Sequence, residues 1–130
     1  MNTDDQLNFL RDRIKSFFNA FQGLRDILLT EHNAWVHAVV TVMVLALAWW
    51  LNVKPMEFVL ILIFICLVWI AESFNTVLEL VIDIVSTQYS HSARRAKDMA
   101  AAAVLFASVG AFIAGLAILG PPLLNRLGWI

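Results

Sequence analysis

Four polar side chains share one helix face inside an apolar stretch: Glu72, Asn75, Glu79 and Asp83. Their spacings from Glu72 are 3, 7 and 11 residues. At helical periodicity they fall within an arc of about 80°. Fourteen apolar residues, Phe58 to Ala71, run directly into Glu72. The acidic face therefore begins inside or at the edge of a membrane. An Asp at the centre of a spanning helix costs about 2.5–3.5 kcal/mol on insertion scales, so such groups mark an ion path, a proton path or a bound metal. Carboxylates with an Asn oxygen are hard ligands, suited to Mg²⁺ rather than Zn²⁺ or Cu²⁺.

More polar groups belong to the same end of the molecule. Glu31, Asn33 and His37 stand at the start of the first apolar segment, and Arg94, Arg95, Lys97 and Asp98 precede or open the last one. Mg²⁺ takes one or two carboxylates together with phosphate oxygens of a substrate. Lys97, Arg94 or Arg95 would neutralise those phosphates. Glu72, deeper in the membrane, is a candidate general base for a hydroxyl arriving from the lipid phase. Together these are the parts for phosphoryl transfer from MgATP to a lipid alcohol. No Walker loop, protein-kinase glycine loop or zinc-deaminase pattern is present, so a nucleotide site here is of an unusual kind.

The elements that position these groups are helices. Of the 130 residues, 61% are hydrophobic and 15% charged, more apolar than a soluble domain. The reading is a small all-α integral membrane protein of one domain. The net charge of −1 carries no nucleic-acid signal. Cys66 stands alone in an apolar run and is expected to be a plain lipid-facing or packing residue. No secretory signal pattern opens the chain. Residues 1–6 are polar and expected to fray. From Leu7 to Leu29 apolar residues recur at helical spacing with Arg11, Arg13, Lys15 and Arg25 interleaved, which predicts an amphipathic helix on the membrane surface. Spanning helices are predicted over about 34–51, 58–85 and 99–120. Asn52–Glu57 forms a turn, Ser86–Lys97 a polar basic connection with Asp98 as the cap of the third span, and Gly120-Pro121-Pro122 its stop.

Three spans leave little protein to shield an acidic face, so a homo-oligomer with sites between copies is expected. Basic residues gather in the N-terminal segment and the second connection, which places the N-terminus and the acidic face on the cytoplasmic side.

The segments EHNAWVH (31–37), ESFNTVLELVID (72–83) and ARRAKDMAAAAVL (93–105) resemble the bacterial diacylglycerol kinase family, which includes undecaprenol kinases. The likeness runs from about Ala20 to Pro122. It implies a surface helix and three membrane helices assembled as a homotrimer in the bacterial cytoplasmic membrane, with MgATP as donor and a lipid alcohol, diacylglycerol or undecaprenol, as acceptor. Carried over by motif, Glu72 matches the family's general base, Glu31 and Glu79 its metal ligands, Asn75 the asparagine beside them, and Lys97 and Asp98 its nucleotide-site pair; Glu31, Asn75 and Glu79 border the nucleotide as well. The E-x-N-x-x-x-H segment and the AILGPP end are closer to undecaprenol-type members. The chain departs from the pattern at Trp35, where those members often carry Arg, at Val77-Leu78, and at Ala102 in place of Gly. The competing reading is a small oligomeric cation or proton channel lined by the acidic face. It leaves Lys97 and Asp98 without a task, and no polar path crosses Phe58 to Ala71.

Overall fold

The computed structural model describes residues 3–86, 88 and 90–129, without the side chains of Thr3 and Asp4. Thr87 and Tyr89 of the second connection lie outside the described residues. The described residues form four helices and no strand: α1 (Thr3–Thr30), α2 (His32–Leu51), α3 (Pro55–Val85) and α4 (His91–Arg126). By internal contacts it divides into two units, one up to Ala34 and one from Trp35 onward.

α1 starts earlier than its apolar pattern predicts. Thr3 to Gln6 are helical rather than frayed, and Asp5 in the first turn suits the positive end of the helix dipole. Leu10, Ile14, Phe17, Phe18 and Phe21 are all exposed along it. The Arg13 guanidinium lies 4.9 Å from the centre of the Phe9 ring.

In the second unit α2, α3 and α4 run up, down and up. Among the described residues these three are long and apolar enough to cross a membrane. The turn after α2 is shorter than predicted. Asn52 takes a left-handed conformation, φ +52°, which Asn tolerates better than most side chains. Pro55 then opens α3 with its ring pre-set for the first helical position. The Glu57 carboxylate accepts from the Lys54 N–H at 2.9 Å. Glu57 therefore belongs to the first turn of α3 rather than to the connection. Ala48, Leu51, Ile61 and Leu119 form the buried core at this end, with Val44, Ile65 and Leu123 packed around it.

Both ends of α4 correct the sequence reading. Its cap is Ser90, whose Oγ accepts from the Ala93 N–H at 3.4 Å, not Asp98. ARRAK contains no helix breaker, so the helix extends back through it; Lys97 and Asp98 sit inside α4. At the far end Gly120-Pro121-Pro122 does not stop the helix, which continues to Arg126. The stop is Gly128, at φ +74°. Its N–H donates to Asn125 O at 3.1 Å, and the Trp129 N–H reaches Leu124 O at 3.1 Å. This is the paired-bond ending that glycine permits. Prolines inside spanning helices are tolerated where neighbouring helices and local adjustment offset the lost bonds.

Candidate functional site

The site is built on α3. A 31-residue helix is about 46 Å long, against roughly 30 Å of bilayer hydrocarbon. Its polar face spends the excess: burial falls from Glu72, 1% exposed, through Asn75 at 7% to half-buried Glu79 and exposed Asp83. From Glu72 to Asp83 the helix rises about 16 Å, from the apolar interior of the unit to its polar end.

α2 faces α3 through two polar contacts in antiparallel register. His37 Nε2 lies 3.6 Å from Glu72 Oε2. One turn further along α2, Thr41 Oγ1 accepts from the Trp69 indole N–H at 3.1 Å. His37 and Trp69 also meet edge to face, with ring centres 6.5 Å apart. The hydroxyls of Ser73 and Thr76 return to the carbonyls of Trp69 and Glu72, at 2.7 and 3.1 Å, and satisfy themselves on their own helix. An apolar cavity of about 470 Å³ opens between α2, α3 and α4. Val40, Val44, Phe64 and Phe112 line it, and His37 and Thr41 are among its few polar groups.

Below Glu72, the Asn75 amide N–H donates to Glu79 Oε1 at 2.8 Å. Asn75 Oδ1 is buried and has no hydrogen-bond partner among the described residues. A buried carbonyl oxygen left so is costly, and beside a carboxylate it is the kind of donor a hard cation takes. Among the described residues no three His, Cys, Asp or Glu side chains gather to hold a metal. Mg²⁺ does not require that, since it completes its shell with phosphate oxygens and water. The Asn75–Glu79 pair thus fits Mg²⁺ bound together with a phosphate, and does not form an all-protein cage.

Lys97 Nζ meets Asp83 Oδ1 at 2.5 Å and so ties the polar ends of α3 and α4 together. Arg94 and Asp98 face each other across one turn of α4 at 4.0 Å, both well exposed, a pair worth about 0.3–0.5 kcal/mol. Arg95 is exposed. Glu31 and Asn33 belong to the first unit; Glu31 is half-buried and Asn33 exposed. Within the second unit the predicted residues therefore fall into four pairs, Glu72 with His37, Asn75 with Glu79, Asp83 with Lys97, and Arg94 with Asp98, with Arg95 outside them. Thr41 and Trp69 were missed. Their signal is that each carries a hydrogen-bonding group within an otherwise apolar span, one helical turn from His37 and from Glu72 respectively.

Three spanning-length helices with a buried carboxylate above a pair of oxygen donors define a helical membrane protein with an acidic site on its middle span. The profile of the prokaryotic diacylglycerol kinase family matches residues 18–119, and the chain belongs to that family. It is 38% identical over 113 residues to a diacylglycerol kinase of Synechocystis; the alignment takes in 86% of this chain and 65% of that protein, a little under two thirds of its length. It is 32% identical to an undecaprenol kinase of Bacillus subtilis, over 95% of this chain and 100% of that one. It is 34% identical to a diacylglycerol kinase of Escherichia coli K12, over 77% of this chain and 82% of that one. The family and these names are those of lipid kinases, and nothing in them supports the channel reading.

Proposed function

We propose that the protein transfers the γ-phosphate of MgATP to a membrane lipid alcohol of the diacylglycerol or undecaprenol type. The observation that carries this reading is the depth order on α3, with a fully buried carboxylate above hard oxygen donors and a lysine at the polar end. A lipid hydroxyl approaches from the apolar side and a nucleotide from the polar side, so the two meet near Glu72 and Asn75. Glu72 takes the hydroxyl proton, the new oxygen–phosphorus bond forms at Pγ, and the bond from Pγ to the β,γ-bridging oxygen breaks to release ADP. Glu79 and Asn75, with Glu31 of a neighbouring copy, would hold Mg²⁺, which would neutralise the phosphate charge. Lys97 leaves Asp83 to pair with a phosphate, and Asp98, which faces Arg94, borders the same nucleotide site. Arg94 and Arg95 add positive charge at the entry.

The same reading makes the working form a homo-oligomer, most simply a trimer, since Glu31 and the α3 pair then serve one site from neighbouring copies. The large apolar side chains exposed along α2, α3 and α4, such as Phe74, Phe106 and Phe112, suit burial against lipid and against other copies. α1 lies on the membrane surface. The bias of basic residues puts the N-terminus in the cytoplasm and the protein in the bacterial cytoplasmic membrane. The test is ADP formation by purified protein in mixed micelles. Turnover that needs both a lipid alcohol and Mg²⁺ supports the reading, and no turnover with either acceptor rejects it.

A further inference from the structure

The contact between His37 and Glu72 has a function that the lipid-kinase reading does not assign. We propose that His37 is a positioning residue: through Nε2 it holds the Glu72 carboxylate in the orientation that receives the proton of the acceptor hydroxyl. This inference rests on the proposed role of Glu72.

Three observations carry it. First, His37 Nε2 is 3.6 Å from Glu72 Oε2, and both side chains are shielded, at 17% and 1% exposure. Hydrogen bonds in catalytic sites are often long before substrate arrives and tighten in the complex. Second, the imidazole is itself held. Its edge contact with Trp69 and the Trp69–Thr41 hydrogen bond one turn along α2 join α2 to α3 beside it, so its position is set by packing and does not drift with a surface rotamer. Third, His37 lines the apolar cavity between α2, α3 and α4 while touching the buried carboxylate. It stands where a group with a hydrocarbon tail and a polar head would bring its head to Glu72. An N–H donor facing one carboxylate oxygen restricts the rotation of that carboxylate about its last bond. Small misplacement of a catalytic group lowers the rate steeply, so a residue that fixes its orientation contributes to turnover.

The experiment compares the wild type with His37→Leu and His37→Gln in the full-length protein in micelles. Gln retains an N–H donor at about the reach of Nε2. His37→Leu is expected to lower kcat for the lipid acceptor by roughly 10- to 100-fold, the effect of losing one hydrogen bond to a charged group. KM for MgATP is expected to stay unchanged, and His37→Gln to recover most of the rate. Equal losses in Leu and Gln, or an unimpaired Leu variant, overturn the proposal. A second readout does not depend on turnover. With ¹⁵N-labelled histidine, the His37 Nε2 resonance, assigned by its loss in His37→Gln, is expected to move in Glu72→Gln. An unmoved resonance overturns the coupling. A moved resonance in a wild type that phosphorylates no lipid keeps the pair and rejects the kinase reading instead.

Discussion

Glu72→Gln separates chemistry from binding. The substitution preserves shape and volume at a site that is 1% exposed, so it opens no cavity and displaces no neighbour. The Thr76 hydroxyl bonds to the backbone carbonyl of residue 72, and that bond survives. The amide has the shape of the carboxyl group and keeps an oxygen that can face His37 Nε2, so the fold is retained. What is lost is the proton acceptor. A positioned general base contributes about 10²- to 10⁴-fold, or about 2.7–5.4 kcal/mol on the barrier. Asn75 and Glu79, which the account gives to the metal and nucleotide, stand one and two turns away and are untouched. The assay is single-turnover transfer of labelled phosphate from pre-bound MgATP to lipid, beside a direct measurement of nucleotide affinity. The expected result is a slowed transfer with affinity intact and an unfolding temperature no lower than the wild type's. Weakened ATP binding with normal transfer from the ATP that does bind would make Glu72 a ligand and not the base.

Three further outcomes follow from the geometry. Glu79→Gln removes the carboxylate paired with Asn75 and is expected to abolish turnover and to raise the Mg²⁺ concentration needed for nucleotide binding; near-normal activity sinks the metal assignment. Lys97→Met is expected to weaken MgATP binding by about 1.5–3 kcal/mol, the loss of a hydrogen bond between charged groups, whereas Asp83→Asn removes only an exposed bridge, worth about 0.2–1 kcal/mol of stability, and leaves nucleotide affinity in place; binding titrations of the two variants distinguish them. Gly128→Ala places a side chain at φ +74°, at a cost of roughly 1–2 kcal/mol, and hydrogen exchange should show the last turn of α4 opening more readily.

The face bearing Glu72, Asn75, Glu79 and Asp83 is legible in sequence because a helix converts spacing into direction, and an apolar run of fourteen residues leaves no doubt of the helix. The partners of that face are not legible, since His37 and Lys97 come from other helices and reach α3 only through tertiary packing. The limits of α4 were misread for local reasons. Asp98 and Ser90 are both good caps by type, and the choice between them depends on whether the basic residues between continue the helix, which their propensities favour. Gly120-Pro121-Pro122 reads as a stop by composition, but no residue there adopts the left-handed backbone that ends a helix; Gly128 does. Glu31, in the other unit, is singled out by its place at the start of the first apolar segment, and its metal role by motif alone.

The central claim is that a lipid alcohol is phosphorylated at Glu72. The most direct measurement is transfer of radiolabel from γ-labelled MgATP by purified protein in mixed micelles, with diacylglycerol and undecaprenol offered in parallel and the lipid products separated. Labelled phosphatidic acid or undecaprenyl phosphate, formed by the wild type and strongly reduced in Glu72→Gln, is the predicted result. No labelled lipid from either acceptor, with the protein folded and Mg²⁺ present, would contradict the account.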